Sequence, residues 1–163
     1  MPTPDFILEL RKKIGNDPLW LSGVCAVVLR PLDEPREVLL VKRSDNGHWT
    51  PIKGIMDPGE TVPETVLREA FEETGVRIRV DRLVAVGVLG PVSYANGDVT
   101  TYLDHTVRAE WVSGAPLVGD DESSAVGWFR LDALPEPMAA GDLARIEVAV
   151  ANPADPVLAG LPR

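Results

Sequence analysis

Between Gly54 and Val76 the chain reads GIMDPGETVPETVLREAFEETGV, and within it Glu69, Glu72 and Glu73 sit at i, i+3 and i+4. On a helix those carboxylates lie along one side, within reach of a shared centre. Like charges at such spacings repel by about 0.2–0.5 kcal/mol per pair, so the arrangement calls for a cation. Clustered hard oxygen donors suit Mg²⁺ or Mn²⁺ rather than zinc. Glu60 adds a fourth carboxylate just before the helix, and the loop from Gly54 to Gly59 brings bare backbone beside it. Arg68 adjoins Glu69 and could orient its carboxylate through a bidentate contact. The bland alternative is a solvated acidic helix face. A loop with accessible carbonyls followed by a carboxylate-lined helix is, however, how metal ions would be held against a phosphate chain.

The segment resembles the Nudix box, G-x5-E-x7-R-E-U-x-E-E-x-G-U with U aliphatic. It matches at every specified position: Gly54, Glu60, Arg68, Glu69, Ala70, Glu72, Glu73, Gly75 and Val76. The resemblance implies an α/β/α sandwich with a mixed β-sheet in a single domain. It also implies hydrolysis of a nucleoside diphosphate linked to another moiety, using Mg²⁺ or Mn²⁺. Glu69, Glu72 and Glu73 would then be metal ligands, and Glu60 an outer ligand or a support for bound water. The backbone carbonyl of Lys53 or Gly54 would complete the shell. Family members commonly carry Pro-Gly-Gly where this chain reads Pro51-Ile52-Lys53-Gly54. The carbonyl survives that departure, and Lys53 is left either to touch a substrate phosphate or to stay solvated. For the general base the family offers two precedents. One is a carboxylate in a loop before the final strand, here Glu122 in GDDESS; the other is the first glutamate of the helix motif, here Glu69. Asp120 and Asp121 read as solvated members of the same acidic loop.

Two residues bear on substrate choice by resemblance. Pro91 lies fifteen residues past Val76, a mark of ADP-ribose hydrolases, and Tyr94 lies eighteen past it, a mark of diadenosine polyphosphate hydrolases. An ADP-ribose-like substrate is the leading expectation. Diadenosine polyphosphate hydrolysis and house-cleaning of (d)NTPs are the enzymatic alternatives, and a nucleotide-sensing module is the non-enzymatic one. Trp49, Tyr94 and Tyr102 could stack on a base, although an aromatic in a strand more often packs in the core. Arg43 could hold phosphate, or form a surface ion pair. A diphosphate-isomerase reading would need a catalytic cysteine, and Cys25, inside a β-branched apolar run, reads as an inert core thiol.

The rest of the chain must position these groups. Its 163 residues suffice for one packed domain. The formal charge of −9 argues against a nucleic-acid groove or an anionic membrane as partner, while metal ions could screen a small anionic nucleotide. The lone cysteine and the absence of an apolar leader suggest a cytoplasmic setting. A homodimer is compatible with the implied fold. Residues 1–19 read as a helical extension, with Thr3, Pro4 and Gly15 as its signals and Phe6, Ile7, Leu10 and Ile14 on one face. The main domain spans 20–151, and 152–163 form a Pro-rich tail. Strands are expected at 20–29, 37–43, 78–92, 99–112 and 126–131, with a hairpin turn at Asn96-Gly97. The stretch HWTPIKGIMDPGE reads as exposed. A helix follows from Thr61 to Thr74, with Val66, Leu67, Ala70 and Phe71 facing the core, and another spans 138–151.

Overall fold

A computed structural model describes residues 3–119 and 121–158. The elements run α1 (Asp5–Ile14), β1 (Leu19–Arg30), β2 (Glu37–Arg43), β3 (Trp49–Thr50), β4 (Ile52–Ile55), α2 (Val62–Thr74), β5 (Arg77–Ser93), β6 (Val99–Ser113), β7 (Ser123–Arg130) and α3 (Ala140–Ala151). One seven-stranded sheet has the order β3-β2-β1-β6-β5, with β4 paired to β1 and β7 to β2. The pairing of β1 with β6 is parallel and the rest are antiparallel, so the sheet is mixed.

β1 is apolar nearly throughout because both its faces are covered. Val24, Ala26 and Val28 point into one core with Val66 and Ala70 of α2. Cys25, Val27 and Leu29 point into a second core with Ile146 and Ala149 of α3. The sandwich of helix, mixed sheet and helix follows directly from that alternation. Burial pushes the Cys25 thiol well above its ordinary range, as an inert core residue requires. Trp20, at the start of β1, departs from the buried run and is 60% exposed.

A third, small core joins α1 to the body through Ile7, Leu21 and Tyr102, with Ile55 packed against it. Arg11 holds α1 to the β5–β6 hairpin through Asp98 at 3.1 Å and the Val99 carbonyl, and Asn16 donates to the Asn96 carbonyl. Leu10, expected on the inner face, is exposed. Beyond α3, Val157 bonds in both directions to the outer edge of β5, at Val84 and Val86. Residues 159–163 of the tail lie outside the described residues. No helix among the described residues is long and apolar enough to cross a membrane.

Two further expectations need correction. The stretch after the SDNG turn is not simply exposed, because β3 and β4 run through it and Ile52 is fully buried in the α2-side core. The helix α2 is also rotated from the expected orientation. Leu67 and Phe71 face outward, while Val66, Glu69, Ala70, Glu73 and Thr74 face in. Arg77 covers the outward Phe71 ring, its guanidinium 5.4 Å from the centroid.

Candidate active site

α2 starts where its sequence says it should. The Thr61 amide donates to the Glu64 carboxylate at 2.8 Å, Pro63 occupies the first turn, and Gly75 ends the helix in the left-handed region at φ 69°. This places Glu69, fully buried, against the backbone of Gly54 in β4. A Cβ built on Gly54 would lie 2.0 Å from the Glu69 carboxyl carbon, so only glycine leaves room for the carboxylate. Glu73 is buried one turn further on, whereas Glu72 is 47% exposed.

Arg68 gathers the acidic groups. Its Nε and Nη2 donate to the two Glu60 oxygens at 2.7 Å each, its Nη1 to Glu69 Oε1 at 2.8 Å and Glu72 at 3.3 Å, and its Nη2 to the Ile55 carbonyl. Thr65 Oγ1 and the Asp57 amide also donate to Glu60. Glu60 is therefore the counter-ion of Arg68, with its carboxyl drawn down to about 2 by those bonds. The opposite happens to Glu69: desolvation outweighs the pull of Arg68 and raises its carboxyl to about 7.

The loop after β6 returns to this helix. The amides of Leu117 and Gly119 donate to the carbonyls of Thr74 and Glu73, both at 3.0 Å. Those carbonyls belong to the last turn of α2 and have no partner within the helix. Gly119 sits so close that a Cβ there would be 1.8 Å from the Glu72 carbonyl oxygen. Three residues later the Glu122 carbonyl accepts from the Ser44 amide at 2.7 Å, and the Asp121 carbonyl accepts from Ser44 Oγ. Three residues span at most about 11 Å, so Glu122 is tethered between the end of α2 and the end of β2. Asp120 lies outside the described residues.

The remaining sequence candidates divide by sheet face and by neighbour. Arg43 makes a two-bond pair with Asp45 at 2.9 and 2.6 Å, and that pairing, with the Glu122 carboxylate nearby, holds its guanidinium above its ordinary range. The Tyr94 and Tyr102 hydroxyls are 2.6 Å apart. A Cβ on Gly23 would stand 3.5 Å from both the Tyr102 ring and the Gly54 carbonyl, so ring and carbonyl flank this position at ordinary contact distance. Pro91 stands exposed where the β5–β6 ladder skips register, a place that does not require its missing amide. Trp49 is half-buried: its ring meets Phe129 edge-on at 4.6 Å against the α3-side core. Lys53 points away from Glu69, because neighbours in a strand face opposite ways. Its ammonium meets Asp142 of α3 at 2.5 Å.

Sequence reading missed Asp142, Asp104 and Arg145, a buried ionic group that the partly exposed Lys53 joins. It also missed Gly119. Strand alternation across Lys53-Gly54 was the one signal that could have turned Lys53 toward α3.

Among the described residues, no three His, Cys, Asp or Glu side chains meet closely enough to hold an ion as they stand. The residues nevertheless fit a divalent cation. Glu69 Oε2 is buried with no hydrogen-bond partner among the described residues, beside the bare Gly54 backbone and within a set of hard oxygen donors.

A family model, the NUDIX domain, matches residues 21–147, and the chain belongs to the Nudix family as a hydrolase of nucleotide pyrophosphate bonds. It is 35% identical over 124 residues to a MutT-like protein of Streptomyces ambofaciens, covering 76% of this chain and 73% of the relative. It is 33% identical over 129 residues to the 8-oxo-dGDP phosphatase NUDT18 of Homo sapiens, covering 75% of this chain but only 37% of the relative. The NUDIX domain of Shewanella oneidensis NrtR, solved in complex with ADP ribose, matches with TM-score 0.60 at 27% identity, over 93% of this chain and 99% of that one.

Proposed function

We propose that the chain hydrolyses the pyrophosphate linkage of a nucleoside diphosphate joined to another moiety, with Mg²⁺ or Mn²⁺, and that ADP-ribose is representative of its substrates. The observation that carries the reading is the buried Glu69 carboxylate seated on Gly54, with one oxygen lacking a partner among the described residues. ADP ribose in the similar NrtR domain supports the choice of ligand class, and so does Pro91.

Glu69, Glu72 and Glu73 are the residues that would hold the metal, together with the Gly54 carbonyl. What a divalent ion supplies when bound is neutralisation of the anhydride oxygens and a lower pKa for a coordinated water. Arg68 orients Glu69 and, paired with Glu60, keeps the charge of the carboxylate group in balance. Arg43, at the end of β2, is placed to meet a phosphate by exchanging its bond to Asp45. Glu122, beside Arg43 and tethered near the end of α2, accepts the proton of the attacking water. Tyr94, in the turn after β5, and Tyr102, on β6, offer a polar aromatic wall.

The deciding experiment is a panel of ADP-ribose, diadenosine polyphosphates, dNTPs and 8-oxo-dGDP with Mg²⁺, each product identified. AMP and ribose 5-phosphate from ADP-ribose are expected. Turnover confined to dNTPs or 8-oxo-dGDP would replace this with the house-cleaning reading, which the likeness to NUDT18 and to a MutT-like protein favours.

A further inference from the structure

β4 is four residues long, and among the described residues its ladder runs to β1 alone. One ladder fixes its register but leaves its outer side to be held by side chains. Ile52 anchors it in the α2-side core, and Gly54 rests on Glu69. Between them, Lys53 passes to the other face and ends on Asp142.

That partner is itself firmly held. Asp142 is 3% exposed in the first turn of α3, where the helix dipole favours a negative charge. Arg145 lies one turn on, 3.9 Å from Asp142, and binds Asp104 of the central strand β6 through two bonds at 3.0 and 2.9 Å. A connected line thus runs from β6 through Arg145, Asp142 and Lys53 to the Gly54 peptide. Burying the three charges of Asp104, Asp142 and Arg145, with Lys53 partly exposed beside them, brings little or no stability over apolar packing of the same volume. What the Lys53–Asp142 ion pair does is tie the residue next to Gly54 to the first turn of α3, Nζ to Oδ1 at 2.5 Å.

We infer that Asp142 is a positioning residue for the metal-binding end of the site: from the opposite face of the sheet it holds Lys53, and through it the Gly54 peptide against Glu69. This rests on the reading of Gly54, Glu69, Glu72 and Glu73 as the metal site.

The test is Mn²⁺ titration of the full chain without nucleotide, followed by electron paramagnetic resonance, alongside thermal melting. Asp142→Asn and Lys53→Met should each weaken Mn²⁺ binding about tenfold or more, the usual loss when an outer partner of a metal site is removed. The double variant should bind no worse than the weaker single one, because the two act through one contact. Asp81→Asn removes another partly buried ion pair, that with Arg108; it should lower the melting temperature and leave Mn²⁺ affinity unchanged. An Asp142→Asn protein that melts early but binds Mn²⁺ like wild type overturns the inference. Should that variant not fold, Lys53→Met alone decides in the same way. Wild-type binding that Glu73→Gln abolishes keeps the metal site whichever way Asp142 falls. No wild-type binding removes the metal site and this inference together.

Discussion

Gly54 and Glu69 occupy one space, the glycine leaving the volume that the carboxylate fills. The strand and the helix are fitted together at the point where a charge is buried. Gly54→Ala needs no unusual backbone angle, so its effect is the collision alone. We expect the variant to fold and Glu69 to be pushed aside, with kcat/KM reduced at least a hundredfold. A small change in melting temperature beside that loss would separate site damage from unfolding. Wild-type activity in Gly54→Ala would show that the contact does not matter.

Glu73→Gln keeps the size of the side chain and removes a negative donor. Activity should collapse while the circular dichroism spectrum stays the same. EDTA should reproduce the loss in the wild type, and added Mg²⁺ or Mn²⁺ should reverse it.

Proton transfer by one positioned group contributes about 10²–10⁴-fold, and Glu122→Gln should lower kcat by that factor with little change in Mn²⁺ affinity. Asp121→Asn controls for loop charge and should remain near wild type. Gly119→Ala tests how the loop is held, since its Cβ would strike the Glu72 carbonyl. It should lower kcat in the direction of Glu122→Gln. Full activity in Glu122→Gln would return the base to Glu69.

Two carboxylates give the metal-free protein opposite pH dependences. Glu69 is raised to about 7 from an ordinary 4.5 by burial. Between those values the folded protein keeps a proton that the unfolded chain releases, so stability falls as pH rises through that window. Glu60 is lowered to about 2 by Arg68, so the stability it lends is present above 4.5 and lost as pH falls toward 2. Melting curves in EDTA should therefore show a decline from pH 4.5 to 7 that Glu69→Gln flattens. With Mg²⁺ present the trend should reverse, because a metal ligand must be deprotonated. An identical slope in Glu69→Gln would contradict the burial assigned to this carboxylate.

The start and stop of α2 were legible because Thr61, Glu64 and Gly75 act locally. Its rotation was not. Val66, Leu67, Ala70 and Phe71 form one helical stripe and Glu69, Glu72 and Glu73 an adjacent one, and ordinary hydrophobicity assigns the first to the core. The helix turns part of the acidic stripe inward because Gly54 provides a seat and Arg68 a counter-charge, and neither effect is a matter of periodicity. β3 and β4 escaped notice because Pro51, Lys53 and Gly54 are weak strand formers, held in place by β1 and β2 rather than by propensity. The Lys53–Asp142 pair joins residues far apart in the chain, and no local rule connects them. The sandwich itself was readable from the box and from the unbroken apolar run of β1.

The segments outside residues 21–147 have a physical job that a sequence model of the domain does not register. Ile7 covers Leu21 and Tyr102, and Val157 occupies hydrogen-bonding positions along the rim of β5. A fragment trimmed to the matched residues would bare an apolar hollow beside the tyrosine pair and an open strand margin. Open margins recruit strands from other chains. Such a fragment should self-associate as its concentration rises, with the trimmed ends, rather than α2, setting its solubility.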